Sequence, residues 1–368
     1  MIALLAGVLG FLLLAIVLWD AYETILLPRR LPGDIRLSRL VLRTLWKTWR
    51  ALGRRIRVHG KRELFLSFYA QLGLIVLFSV WAAGLILAFG VLHWAIGTHL
   101  DAPRSIAGLA ADLYMSGTTF FTLGLGDVVP TTTLARLFTV MEAGIGFGFL
   151  ALVIAYVPVL YQFFSRREAR ITMLDQWAGS PPAAGQILKR AFESRDPGVE
   201  LDRLFREWEL TAAEILESHL SYPTLAFFRS QHDNQSWLAS LSAVLDASAL
   251  VSTSVRGVEA FQARLTFAIC RHTLVDVTQV FRLRPAATYK SKPFAGLRAW
   301  LEGAGVALEP GQDAEARFQE LRGLYAPYLE VLSEYLLMPL PDWIPPPGKA
   351  RYNWRTTSSA HSRHDGST

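Results

Sequence analysis

An all-α membrane protein is the fold class this sequence predicts, and three observations carry that expectation. Of 368 residues, 52% are hydrophobic and only 18% charged, and the mean hydropathy is +0.28, more apolar surface than a soluble chain of this length needs. The excess is concentrated before residue 164, in three stretches long enough to cross a bilayer. Between the second and third lies a semi-polar stretch rich in Gly and Thr, too short to cross, turn and return.

The first stretch, residues 2–19, is apolar without a charge, and eighteen residues at 1.5 Å each span roughly 27 Å. A cleaved signal peptide would show a basic start and a small-x-small site. Neither is present, so the segment reads as an uncleaved anchor. Residues 64–96 and 134–164 are the other two spans. Residues 105–130 separate them, with helical character over 105–119 and extended backbone after it. A short helix followed by extended chain between two spans is a re-entrant layout.

Charge sets the orientation. Residues 29–63, between the first two spans, hold twelve basic residues (Arg29, Arg30, Arg36, Arg39, Arg43, Lys47, Arg50, Arg54, Arg55, Arg57, Lys61 and Arg62), opposed there only by Asp34 and Glu63. Arg166, Arg167 and Arg170 follow the third span. Positive residues stay inside, so the N-terminus is expected outside, the loop at 97–133 re-enters from outside, and the C-terminal part is cytoplasmic in a multi-pass plasma- or inner-membrane protein. The net charge of +6 is thereby a topology signal, and no nucleic-acid partner is expected.

The basic connector, residues 29–63, carries Leu42, Leu45, Trp46, Trp49, Leu52 and Ile56 at helical spacing. Arg39, Arg43, Lys47, Arg50 and Arg54 line another face. Voltage-sensing helices also space their arginines regularly, but no preceding helices supply acidic counter-charges. The pattern predicts an amphipathic helix in the cytoplasmic interface, tryptophans in the lipid and basic residues toward anionic lipid headgroups.

Residues 165–345 read as an all-helical domain, with apolar periodicity over 199–220, 236–251, 258–280 and 314–337. Pro181-Pro182, Pro197-Gly198, Pro223 and Pro310-Gly311 punctuate it. Gly303, Ala304 and Gly305 lack the strand context of a phosphate loop. His219, His232, Asp233, Cys270 and His272 match no metal-ligand spacing, and Glu207, Glu209, Glu214 and Glu217 read as a solvated face. A single cysteine excludes an intrachain disulfide. No enzyme activity and no cofactor are expected. Residues 346–368 form a polar, disordered tail.

The residues that carry chemistry are Thr119, Phe120, Phe121, Thr122, Leu123, Gly124, Leu125, Gly126 and Asp127. This run resembles the potassium-channel selectivity-filter signature, and the layout around it is similar to the two-helix, pore-loop module of that family. Leu125, at the position of the usual aromatic, is similar to the second pore of two-pore-domain potassium channels. The resemblance implies a pore module over 64–164, preceded by an N-terminal span within 1–28, with residues 105–119 as pore helix and the following loop as filter. It implies potassium as the permeant ion, carbonyls of Thr122, Leu123, Gly124 and Leu125 as ion sites, and Gly126 and Asp127 completing the filter. With one pore loop per chain, it implies a homotetramer. Dehydrated potassium needs stacked oxygens, and backbones that alternate conformation supply them where glycine permits. Tyr114 and Met115 fall where the family places an aromatic cuff, and the pore-helix dipole favours a cation below the filter.

In the third span Gly144, Gly146 and Gly148 cluster, and Pro158 lies further on. They match an inner-helix hinge and kink, though close packing through small residues explains single glycines equally. Phe147, Leu150 and Ile154 are expected to line an apolar cavity that gates by constriction. Glu142 is a carboxylate inside a span and so a functional candidate, expected to bond Thr118 or Thr119 as filter support or pH sensor. Leu125 for the aromatic and Met115 for a tryptophan leave a weakly selective cation channel as one alternative. A membrane-anchored helical signalling domain with a vestigial pore is another.

Overall fold

The computed structural model describes residues 1–26, 36–102, 107–232, 234–287, 289 and 293–346. Expectations placed on Arg29, Arg30, Asp34, Ser105, Asp233 and the 347–368 tail lie outside them. Two compact units result, Met1–Tyr161 and Gln162–Thr368.

The first unit contains α1 (Ile2–Ile25), α2 (Leu37–Arg55), α3 (His59–Ile96), α4 (Leu109–Phe120) and the start of α5 (Thr133–Ala178). Helices α1, α3 and α5 are long and apolar enough to cross a membrane, the three spans expected. Helix α1 packs along α3 through small residues. A Cβ on Gly10 would sit 3.1 Å from the Ala88 carbonyl oxygen, and one on Gly84 would sit 2.9 Å from Val17. Without water to drive burial, such close backbone approach supplies the packing energy between spans. Val17, Leu77, Trp81, Leu85, Phe120 and Phe149 form the core around this contact.

Helix α1 runs beyond the apolar stretch and takes Asp20 and Glu23 with it. Both carboxylates are matched. Asp20, 4% exposed, accepts from the Ser38 backbone N–H at 2.9 Å, the Ser38 hydroxyl at 3.0 Å and Trp81 Nε1 at 2.8 Å. Glu23 pairs with Arg36 at 3.2 Å. One carboxylate therefore pins α1, the first turn of α2 and the middle of α3 together.

Helix α2 corrects the expectation of lipid-facing tryptophans. Trp46 is 2% exposed and packs its ring 4.7 Å from that of Tyr69. Trp49 stacks on Phe65 at 4.5 Å and donates Nε1–H to the Phe65 carbonyl. Tyr69 closes the joint from α3, donating to the Leu42 carbonyl at 2.8 Å. A buried indole needs a partner for its N–H and packs best against aromatic rings, and α3 offers both. The apolar face of α2 thus covers α3, while Leu40 and Leu52 remain exposed.

In the second unit, the end of α5 joins α6 (Ala184–Phe192), α7 (Pro197–Ser221), α8 (Trp237–Thr253), α9 (Phe261–Val280), α10 (Phe294–Gly303), α11 (Gln312–Gly323) and α12 (Ala326–Leu336). Asp196 caps α7 by accepting from the Val199 N–H, with Pro197 at the first helical position. Ser236 caps α8 by accepting from the Ala239 N–H at 3.1 Å. Helix α8 is buried along nearly its whole length, a central element wrapped by its neighbours, as an apolar run without a polar face requires. The single helix expected over 314–337 is two, because the chain turns at Leu324 and Tyr325 and α12 restarts with Pro327 in its first turn. Helices α6 and α10 went unpredicted. They are short, and periodicity over one face of ten residues is a weak signal.

The buried charged groups Arg167 and Asp246, and the imidazole of His219, are paired. Arg167 donates to the carbonyls of Leu225 at 2.9 Å and Phe228 at 2.8 Å, and to His219 Nε2 at 3.3 Å. His219 Nδ1 lies 2.8 Å from the Ile215 carbonyl, so the neutral tautomer fits, donating at one nitrogen and accepting at the other. Burial first, and the Arg167 charge second, push its pKa down to about 3. Asp246 accepts from Tyr325 at 2.5 Å and Arg322 at 3.2 Å.

Candidate functional site

The loop between the second and third spans is built on α4. Helix α4 begins at Leu109, later than residue 105, because Gly108 precedes it at φ +62°. Its C-terminal turn is continued by the chain itself: Phe121 N–H donates to the Gly117 carbonyl, Thr122 N–H to that of Thr119 and Leu123 N–H to that of Thr118, at 3.1, 3.0 and 2.7 Å. The base is closed by a two-residue antiparallel pair, β1 (Leu100–Asp101) with β2 (Val129–Pro130). Thr131 adds N–H and hydroxyl donations to the His99 carbonyl.

Between these supports the backbone alternates. Thr122, Gly124 and Gly126 stand at φ +56°, +55° and +76°, whereas Leu123 and Leu125 do not adopt positive φ. Left-handed residues at every second position counteract the strand's usual alternation of carbonyl direction, so successive carbonyls can share one face. A Cβ at Gly124 or Gly126 would meet nothing within 4 Å. Glycine is therefore needed there for its torsion, not for space. Thr122 adopts the same region with a β-branched side chain, a conformation that costs on the order of 1–3 kcal/mol and persists only where its surroundings impose it. The bonds from residues 121–123 back to α4 supply that imposition.

Residues 121–127 are all exposed within one chain, with Leu123 at 61% and Leu125 at 63%. Asp127 is braced from behind: the Tyr114 hydroxyl donates to Asp127 Oδ2 at 2.8 Å. Tyr114 lies outside the Thr–Gly–Gly–Asp run, two helical turns before Thr122; the family resemblance singled out its position but not its bond to Asp127. Met115, beside it, is 2% exposed and turned into the chain's own core.

Helix α5 crosses the end of α4 at Gly146, where a Cβ would fall 2.4 Å from the Phe120 carbonyl oxygen. Close approach accounts for glycine at this position without a hinge. Gly144 and Gly148 have no such neighbour. Pro158 sits inside α5, which continues through it. Phe147 and Ile154 are exposed at 68% and 73%, and Leu150 is half-buried.

Glu142 is 0% exposed, but its partners are not the threonines expected. Thr118 Oγ1 donates within its own helix to the Met115 carbonyl, and the Thr119 carbonyl serves Thr122. Glu142 Oε1 instead meets Ser116 Oγ, and Oε2 lies 3.3 Å from His93 Nε2 at the end of α3. Its level on α5 faces the middle turn of α4 rather than the last. His93, an ionisable residue in a span, could have been singled out on the same ground as Glu142, whereas Ser116 in α4 carries no sequence signal.

Among its described residues the second unit shows no comparable constellation at the positions singled out from the sequence. His219 is enclosed by Arg167, Cys270 is buried, and His272 pairs with Asp276 at 3.1 Å on the surface. Among the described residues no three His, Cys, Asp or Glu side chains converge as metal ligands do.

Residues 75–162 match the family model described as "Ion channel", that of two-helix, pore-loop channels, which also occurs in two-pore-domain potassium channels. The match takes in most of α3, all of α4 and its loop, and α5 as far as residue 162. No curated protein and no solved structure matches the chain.

Proposed function

We propose, on the premise that residues 75–162 belong to the pore-loop ion channels, that the chain conducts potassium selectively as a homotetramer. The alternation of left-handed torsions at Thr122, Gly124 and Gly126 carries this reading. It lets the carbonyls of Thr122, Leu123, Gly124 and Leu125 face one axis and replace the ion's water shell. One chain contributes one quarter of such a site, and the exposure of Leu123 and Leu125 within the chain calls for neighbours to cover them. Asp127, held by Tyr114, concentrates cations at the mouth. The C-terminal end of α4 directs its partial negative charge below the filter. Phe147, Leu150 and Ile154 line the cavity on the other side, with Gly144 and Pro158 as the points where α5 bends.

By the positive-inside rule, the α1–α2 connection and the second unit lie on the cytoplasmic side and the loop outside in this reading. Arg39, Arg43, Lys47, Arg50 and Arg54 then meet anionic lipid headgroups, with the opposite face of α2 seated on α3. Potassium is the cargo, and no cofactor takes part. A weakly selective pore is the second reading, favoured by Leu125, which brings no hydroxyl to brace the filter. Purified protein in liposomes should carry potassium flux. Gly124→Ala, which meets no steric obstacle but cannot easily keep its torsion, should abolish that flux at unchanged assembly size. Equal flux through the variant contradicts the filter.

A further inference from the structure

Conduction through the loop leaves one cluster of titratable groups unused. His93 of α3, Asp112 and Ser116 one turn apart on α4, and Glu142 of α5 are 0, 4, 0 and 0% exposed. His93 Nε2 stands 3.3 Å from Glu142 Oε2, and its Nδ1 stands 3.3 Å from Thr98 Oγ1. Asp112 lies within electrostatic reach of the same imidazole. The Phe138 ring closes the cluster edge-on at 6.3 Å. Among the described residues no lysine or arginine pairs with either carboxylate, so His93 is the basic group both can share.

The proton count is short. Ser116 Oγ touches the Ile86 carbonyl at 2.9 Å and the Glu142 carboxyl as well, yet a hydroxyl has one proton to give. A proton on Glu142, donated to Ser116, would leave the hydroxyl's own proton for the Ile86 carbonyl. His93 Nε2, Glu142 Oε2 and Asp112 Oδ1 are moreover sealed from solvent without a hydrogen bond. Two carboxylates and one imidazole carry net negative charge even with His93 protonated, which a dry interior penalises heavily. Taking up a proton relieves that charge and fills the missing donor together.

An open pocket of about 480 Å³ leads to the cluster, lined by Trp94, Thr98, His99 and Asp112. It therefore touches the neighbour of His93, its hydrogen-bond partner and the second carboxylate. We propose that His93, Asp112 and Glu142 form a proton-binding site reached from the outer solution, whose occupancy sets how α5 is held against the pore helix and hence how readily the pore conducts. The sidedness and the effect on conduction rest on the reading above, but the proton site does not.

The test uses the full-length protein in liposomes, with internal pH fixed and external pH varied from about 8 to about 5, the range in which histidine changes charge. Potassium conductance should change sigmoidally with external pH. His93→Gln and Glu142→Gln should each move the midpoint by more than about one pH unit or remove the response, and the double variant should do no more than either alone, as one coupled site requires. His232→Gln, in the other unit, should leave the midpoint in place. A flat wild-type response, or a response unchanged in both variants, overturns the regulatory half. Infrared difference spectra of the same preparation decide the site without conduction. A protonated-carboxyl band that appears on acidification and is lost in Glu142→Gln upholds the site. Its absence from the wild type, or its survival in the variant, overturns it. Should that variant fail to assemble, a band shifted in His93→Gln upholds the site and an unshifted band overturns it.

Discussion

Thr122, Gly124 and Gly126 share a torsion for different reasons, and the difference separates legible from illegible residues. The two glycines announce themselves in sequence, because their spacing is that of a backbone alternating in conformation. The threonine's strain does not, since it is imposed by three N–H donations to α4 that only the folded loop displays. Tyr114 belongs to the same hidden class, its hydroxyl reaching Asp127 across thirteen residues. Tyr114→Phe keeps the ring and its packing but releases the carboxylate. Potassium should remain permeant while sodium permeability rises severalfold, read from bi-ionic reversal potentials. An unchanged ratio would show that Asp127 needs no brace. Glu142 was visible as an anomaly in a span, yet its pairing with Ser116 and His93 was not, since it depends on the level at which α5 passes α4.

At the scale of elements, the three long apolar helices and the short helix between the second and third were legible because hydropathy and spacing mark them. What escaped was how apolar faces are used. Trp46 and Trp49 carry the same amphipathic signal whether they meet lipid or α3, and only the aromatic partners Tyr69 and Phe65 decide between them. Trp46→Ala should therefore destabilise the protein by about 3–5 kcal/mol, the cost of emptying a filled aromatic site; thermal melting in detergent measures it. A tryptophan lodged in lipid would show almost no loss. Helix α1 ran past its predicted end because Asp20 is satisfied by three donors, a compensation that hydropathy does not count.

In the second unit, His219 ties α5 to α7 through Arg167 while neutral. Its pKa, near 6.5 in the unfolded chain, falls to about 3 in the fold. Between those values the unfolded state binds more protons, so this contribution is whole above pH 6.5 and is lost progressively as the pH falls toward 3. The loss amounts to at most on the order of 5 kcal/mol. His219→Gln, which keeps an acceptor without titrating, should flatten the stability profile in that window. A profile as steep as the wild type's would place the pH dependence elsewhere.

For the whole molecule, the order of apolar helices, loop and helical unit could be read from hydropathy and periodicity, whereas the exposure of the loop within one chain could not. Each protomer leaves residues 121–127 uncovered, with two leucines more than half exposed. On the function proposed above, a symmetric assembly covers the loop, and carbonyls, not side chains, choose the ion. Leu125 is where that choice is least supported, since no hydroxyl there can bond to a neighbouring helix. The reversal potential of the purified protein in a planar bilayer, with potassium on one side and sodium on the other, tests this most directly. The account predicts reversal close to the potassium equilibrium potential, and a reversal near zero would contradict it.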